Sequence, residues 1–199
     1  ASRICHDLVS PVGAIGNGVE LMQELGEDAG DEAVSLISSS AAQAAIRLKC
    51  FRLAYGAAGT DKNIGFREVR EVFTDWLKSG HVQVEFEPDL ELRFSMPPRG
   101  FLKCVLNLLI FAEECSRGEG RIFVSAPEEG KGVKILATGR HVGFREDAGN
   151  ALSGETAPEA LDARTVHAYM TGKFAGHFGF KIAHQEQPDF GRLELRISF

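Results

Sequence analysis

Apolar positions in the first 59 residues recur at spacings of three and four. Cys5, Leu8, Val12, Ile15, Val19 and Met22 form one series; Val34, Ile37, Ala41, Ala44, Leu48, Phe51 and Tyr55 form another. Such spacing gathers apolar side chains on one helical face, so two helices are predicted. Between them Gly26 to Asp31 (GEDAGD) reads as a turn, with Asp31 as the N-cap of the second helix. Gly56 to Gly59 ends that helix. Two antiparallel helices with such seams enclose too little core to stand alone. Pairing with a second copy completes a four-helix bundle, so a homodimer is predicted.

Gly59-Thr60-Asp61-Lys62-Asn63 reads as a boundary, dividing the chain into residues 1–60 and 61–199. Beyond it the periodicity changes. Phe66 to Ser79 reads as a helix with Val69, Phe73, Trp76 and Leu77 inward, stopped by Gly80. Val82 to Phe86 and Leu92 to Met96 alternate like the two strands of a hairpin around Pro88-Asp89. Pro97 and Pro98 precede a predicted helix from Arg99 to Glu114, and strands are predicted at Arg121 to Ala126 and Val133 to Ala137. A loop from Gly139 to Pro158, a helix from Glu159 to His177, and strands at Lys181 to Gln185 and Arg192 to Phe199 complete the pattern. The expected fold class is α+β: a helical hairpin followed by an α/β sandwich with a mixed sheet and helices on one face.

Composition narrows the function. The net charge of -6 argues against sequence-independent nucleic-acid binding, which needs a Lys/Arg surface. The apolar run FLKCVLNLLIFA is short of a bilayer span, so no membrane helix is expected. No basic n-region, apolar h-region and cleavage site precede the first helix, so no secretory signal is expected. The chain starts at Ala1 inside a patterned segment, so a few native residues are expected to precede it. Cys5, Cys50, Cys104 and Cys115 form no C-x-x-C pair and lie in apolar helical patterns. They are expected to be buried free thiols in a reducing cytoplasm, with neither zinc nor disulfides.

On a helical wheel of about 100° per residue, the apolar seam of the first helix lies opposite His6. Ser10, Gly13, Asn17, Glu20 and Glu24 share the His6 direction, so this histidine is expected to face solvent. The helix also carries local costs. An interior glycine costs roughly 1 kcal/mol against alanine, and Gly13, Gly16 and Gly18 share this helix. Pro11 adds a kink worth about 3 kcal/mol unless packing compensates. Small residues beside one exposed histidine point to another protein approaching the helix closely.

The string His6-Asp7-Leu8-Val9-Ser10-Pro11-Val12 resembles the phosphoacceptor box of two-component histidine kinases. The hairpin is similar to their dimerisation and phosphotransfer domain. The remainder resembles their ATP-binding (Bergerat) domain in length and element order. The nucleotide boxes depart from that pattern. In the stretch Leu102 to Ala112, Asn107 is kept, but Phe111 stands where a kinase has its metal-ligating Asn. The Asp-x-Gly-x-Gly stretch is Ala137-Thr138-Gly139-Arg140-His141, without an Asp. The second phosphate loop is matched by Arg164-Thr165-Val166-His167, without a glycine. A histidine box on a dimeric hairpin beside a domain stripped of its ATP site resembles the ChpT-type histidine phosphotransferases, and HDLVSPVGAIGNGVEL is similar to theirs throughout.

That resemblance implies a shuttle in an Asp–His–Asp phosphorelay. His6 would take a phosphoryl group from the receiver domain of a hybrid histidine kinase and pass it to the receivers of response regulators, including cell-cycle regulators. No cofactor is expected on this chain; Mg²⁺ is expected in the partner receiver. Asp7 is expected to hold the second imidazole nitrogen, and Ser10, Gly13, Asn17, Glu20, Leu21 and Glu24 to form the docking strip. Ser10 is read as clearance for the docking receiver before a catalytic hydroxyl. Two alternatives stay open: an ATP-dependent sensor kinase with a divergent nucleotide site, and a non-catalytic dimeric receiver-binding module. His81, His141, His167, His177 and His184 lack metal-ligand spacing and are expected at surfaces or in loops. Gly172 to Gly176 is a weak Gly-x-x-x-Gly match without membrane meaning, and Trp76 and the phenylalanines are expected in the core.

Overall fold

The computed structural model describes residues 2–26, 30–60, 64–145 and 147–199. Glu27 to Ala29 of the predicted turn, Asp61 to Asn63 of the predicted boundary, and Glu146 of the predicted loop lie outside the described residues. The chain forms two compact units, Ala1–Phe51 and Arg52–Phe199.

The first unit is built from α1 (Ser2–Leu25) and most of α2 (Gly30–Ala54). Asp31 falls inside the first turn of α2 rather than ahead of it. There its carboxylate faces the positive end of the helix dipole. Within the unit α1 turns Pro11 and Gly18 inward, with Asp7, Ala14, Ile15 and Leu21 half-buried, and α2 answers with Ala33, Ile37 and Ser40. A Cβ on Gly18 would stand 2.6 Å from the Ile37 side chain, so this glycine is needed for close helix contact. Gly13 and Gly16 meet nothing. The glycine cost noted in the sequence therefore has two causes: one inside the hairpin, the other on open surface.

The predicted apolar series divides accordingly. Leu8, Ile15 and Ile37 are half-buried, while Val12 (56%), Val19 (41%), Met22, Val34 and Leu48 stay exposed in the single chain. Cys5 is exposed with them, contrary to expectation, because it sits on this outward part of the stripe. Cys50, Cys104 and Cys115 are buried free thiols.

In the second unit, α3 (Phe66–Leu77) buries Val69, Phe73, Trp76 and Leu77 as its amphipathic spacing predicts. Next come β1 (His81–Phe86), the short α4 (Leu90–Arg93) and α5 (Phe101–Cys115). The predicted strand over Leu92 to Met96 is overturned. Leu90 and Phe94, four apart, are buried, whereas Leu92 and Met96 are exposed, so the segment obeys a helical and not a strand period. With that hairpin gone, β1 pairs in parallel with β2 (Glu119–Ser125), reached through α5.

β3 (Gly132–Thr138), α6 (Ala148–Ser153), α7 (Val166–Phe178), β4 (Lys181–Gln187) and β5 (Arg192–Ser198) complete the unit. The sheet order is β1-β2-β3-β5-β4, antiparallel after the first pair. Helix α6 lies inside the predicted loop. Helix α7 starts at Val166, later than the predicted Glu159, after a 3-10 turn at Pro158–Ala160. Gly172 lets α7 approach α6: a Cβ there would run into the Leu152 carbonyl oxygen.

Ile122, Val124, Val133, Ile135, Ala137, Leu193, Leu195 and Ile197 share the buried sheet face. Over it lies α5, buried at every position from Phe101 to Ala112. The opposite face carries Arg121, Phe123, Lys134, Arg192 and Arg196, so the helices cover one face only. Phe190, Phe123 and Phe199 are exposed, against the expectation that phenylalanines are core. Among the described residues no helix is long and apolar enough to cross a membrane.

Candidate functional site

His6 lies in the second turn of α1, and its side chain is 87% exposed. Its Nδ1 is 3.1 Å from Asp7 Oδ1. An ionised carboxylate only accepts hydrogen bonds, so Nδ1–H is the donor and Nε2 keeps the lone pair. Asp7 itself is only 15% exposed. The packed carboxylate can hold Nδ1–H, which leaves Nε2 facing solvent. The helical period brings Ser10, Gly13, Asn17, Glu20 and Glu24 onto the same open stripe, all exposed. Leu21 is half-buried at the stripe's margin, turned toward the hairpin interior. Val9, Val12 and Val19 lie on the adjoining exposed flank of α1.

The second unit holds the stretches compared above with nucleotide boxes, and the first and third make internal contacts. Asn107 Nδ2 donates to Ala54 O at 2.7 Å and to Lys103 O at 2.9 Å. Phe111 is buried and stacked on Phe144, ring centroids 5.9 Å apart. Ahead of α7, Asp162 Oδ1 accepts from the Arg164 N–H, the Thr165 N–H and the Thr165 hydroxyl, each at 2.8 Å. These bonds, the Thr165 hydroxyl foremost, hold the Asp162 carboxyl below its usual range. A carboxylate of the chain thus takes two backbone N–H groups of the turn that leads into α7.

His167 corrects the sequence expectation. It is buried, with Nδ1 2.6 Å from Glu114 Oε1 and Nε2 3.2 Å from Asn107 Oδ1. His81, His141, His177 and His184 are exposed, His81 and His184 on strands. Lys103 was not singled out by its sequence context. It is buried, and its Nζ donates to Tyr55 O at 3.1 Å and Gly56 O at 3.0 Å above the Phe174 ring. Burial lowers its pKa, opposed weakly by Cys104. The only prior signal was a charge inside an apolar helical run. No group of three His, Cys, Asp or Glu able to hold a metal occurs among the described residues.

An exposed histidine buttressed by a packed carboxylate on a helical hairpin, with a one-face α/β unit following in the chain, is an arrangement able to hold a phosphoryl group on an open ring nitrogen. Residues 66–189 match the model of the histidine phosphotransferase C-terminal domain. The protein phosphotransferase ChpT of Brucella abortus (strain 2308) is 33% identical over 185 residues, covering 92% of this chain and 86% of that protein. A solved bacterial phosphotransferase aligns over 99% of this chain and 92% of its own, at 28% identity and a TM-score of 0.78. The chain belongs to the histidine phosphotransferase family, and its role is phosphoryl transfer in a phosphorelay.

Proposed function

We propose that His6 is the phosphoacceptor of an Asp–His–Asp relay that this chain serves as a cytoplasmic homodimer. The donor is an aspartyl phosphate on the receiver domain of a hybrid kinase. The acceptor is the receiver aspartate of response regulators, cell-cycle regulators among them. The observation that carries the assignment is the open, Asp7-oriented ring of His6.

Nε2 attacks phosphorus in line, an N–P bond forms, the Asp O–P bond breaks, and the carboxylate leaves. Asp7 holds the Nδ1 proton and steadies the positive charge the ring acquires. The reverse steps deliver the group to the second receiver. Such transfer is mostly positioning and charge neutralisation, and the Mg²⁺ it needs comes with the receiver. Ser10, Gly13, Asn17, Glu20 and Glu24 form the docking strip, with half-buried Leu21 at its edge and Ser10 and Gly13 keeping the approach to the ring clear. The exposed stripe of Val12, Val19, Met22, Val34 and Leu48 supports a second hairpin as the dimer partner.

We also propose that the chain works without ATP. The internal bonds of Asn107 and Asp162 and the Phe111–Phe144 stack support this. The test is to mix the protein with a receiver labelled on its aspartyl phosphate. Wild type takes up acid-labile, base-stable label and His6→Ala takes up none, while ATP with Mg²⁺ labels neither. Uptake by His6→Ala would move the site elsewhere. Labelling by ATP would make the protein a kinase.

A further inference from the structure

The sheet face that carries no helix has an ordered pattern of its own. The strand register lines up its side chains in rows across β2, β3 and β5. Arg121 and Arg192 fall in the first row, Phe123, Leu136 and Glu194 in the second, Lys134 and Arg196 in the third. Two basic rows therefore frame an apolar pair. Successive rows on one face lie about 7 Å apart along the strands, so the basic rows stand about 14 Å from each other.

Phe123 is 37% exposed, and Leu136 opposite it on β3 is half-buried. Both line a depression of about 500 Å³, together with Arg121 and with Gln83 and Glu85 of β1. Glu194 is buried and pairs with both Arg192 and Arg196, so one carboxylate serves two guanidinium groups. Arg121 is exposed and forms no ion pair among the described residues. Lys134 meets Glu128 at 3.8 Å, and that carboxylate is itself 92% exposed. Positive charge thus exceeds negative in these rows, although the chain as a whole carries -6.

We infer that the open face of β2, β3 and β5 docks an acidic amphipathic helix of a partner protein. A sheet face is a surface on which helices pack, and α5 already covers the other side of this one. The apolar stripe of the docked helix lies on Phe123 and Leu136. Carboxylates about one turn to either side of that contact meet the two basic rows. Arginine and aromatic side chains are the usual anchors of protein interfaces. The face also holds Glu85 beside Phe123 and Glu119 at the start of β2. Both repel a phosphate polymer or an anionic lipid surface, whereas a protein helix can set a basic residue against them.

The test uses the full chain and a fluorescein-labelled synthetic helix, a leucine pair with a glutamate one turn away on each side. In fluorescence anisotropy this peptide binds, and its counterpart with lysine for glutamate binds at least about tenfold more weakly. Arg121→Glu and Phe123→Ala each lower the affinity by about tenfold. Arg121→Glu melts like wild type, because the replaced side chain is exposed. Amide shifts in ¹H–¹⁵N NMR move on β2, β3 and β5. No binding, equal binding of the two peptides, or shifts confined to other elements overturns the inference. So does tighter binding of single-stranded DNA or of phosphatidylglycerol vesicles. A change of oligomeric state in Arg121→Glu would make a second copy the occupant and overturn it as well. Should Phe123→Ala fail to fold, Arg121→Glu and the shift map decide.

Discussion

Placing at position 111 the amide that a kinase has there tests whether Phe111 is committed to packing. In Phe111→Asn a side chain that is 1% exposed, stacked on Phe144 and edge-on to His167, is replaced by a smaller polar one. Truncating a buried phenylalanine costs about 3–5 kcal/mol. A buried amide without partners adds about 1–3 kcal/mol. The sum, roughly 4–8 kcal/mol, is a large share of the ~5–15 kcal/mol that holds an ordinary domain. At about 2–4 °C per kcal/mol for a unit of this size, the melting temperature falls by roughly 10–25 °C. Thermal and urea unfolding measure the loss, and calorimetry with ATP and Mg²⁺ measures any gain. If Phe111→Asn lost under about 1 kcal/mol, the packing role would be wrong. If it bound ATP at micromolar concentration, the internal bonds of Asn107 and Asp162 would not block a nucleotide.

Three further outcomes follow from the hairpin. Asp7→Asn slows phosphoryl uptake from a labelled receiver by about 10²-fold, the lower range for a lost orienting group, with little change in melting temperature; an unchanged rate would make Asp7 a structural residue. Gly18→Val forces a side chain against Ile37 and costs about 1–3 kcal/mol in urea unfolding, whereas Gly16→Ala, on open surface, stabilises the helix by up to about 1 kcal/mol. Val12→Asp with Val19→Asp converts the proposed dimer to a 21.6 kDa monomer in light scattering, and a surviving dimer would place the interface elsewhere.

Helical periodicity made the hairpin legible, because one face of α1 depends only on spacing within α1. His6 and its stripe therefore lie in the structure where the wheel puts them. Elements whose identity depends on distant partners were less legible. Leu92, Phe94 and Met96 alternate like a strand, yet the partner strand β1 goes to β2, 33 residues or more along the chain, and only Phe94 is buried. Cys5 shares the spacing of buried residues, but the surface it faces in the single chain is open.

The second unit carries the stronger lesson, because its sequence shows what is missing but not what replaced it. A phenylalanine at 111 and the absence of glycine at 164–167 are visible as departures. That Asp162 binds the N–H groups of Arg164 and Thr165 is not, since the spacing predicts a helix through this segment and hides the turn. His167 has no ligand-like spacing; its meaning comes from Asn107, 60 positions earlier, and Glu114, 53 positions earlier. Lys103 is one charge in an apolar run until the Tyr55 and Gly56 carbonyls are seen beneath it. Left without partners these buried polar groups would be costly, about 1–3 kcal/mol each. Binding them to one another removes that cost and turns the old box residue Asn107 into a bolt between α5, α7 and the last turn of α2. On this view Asn107 is kept for packing, and its substitution by leucine would harm folding while leaving the phosphoryl uptake proposed for His6 untouched in the molecules that do fold.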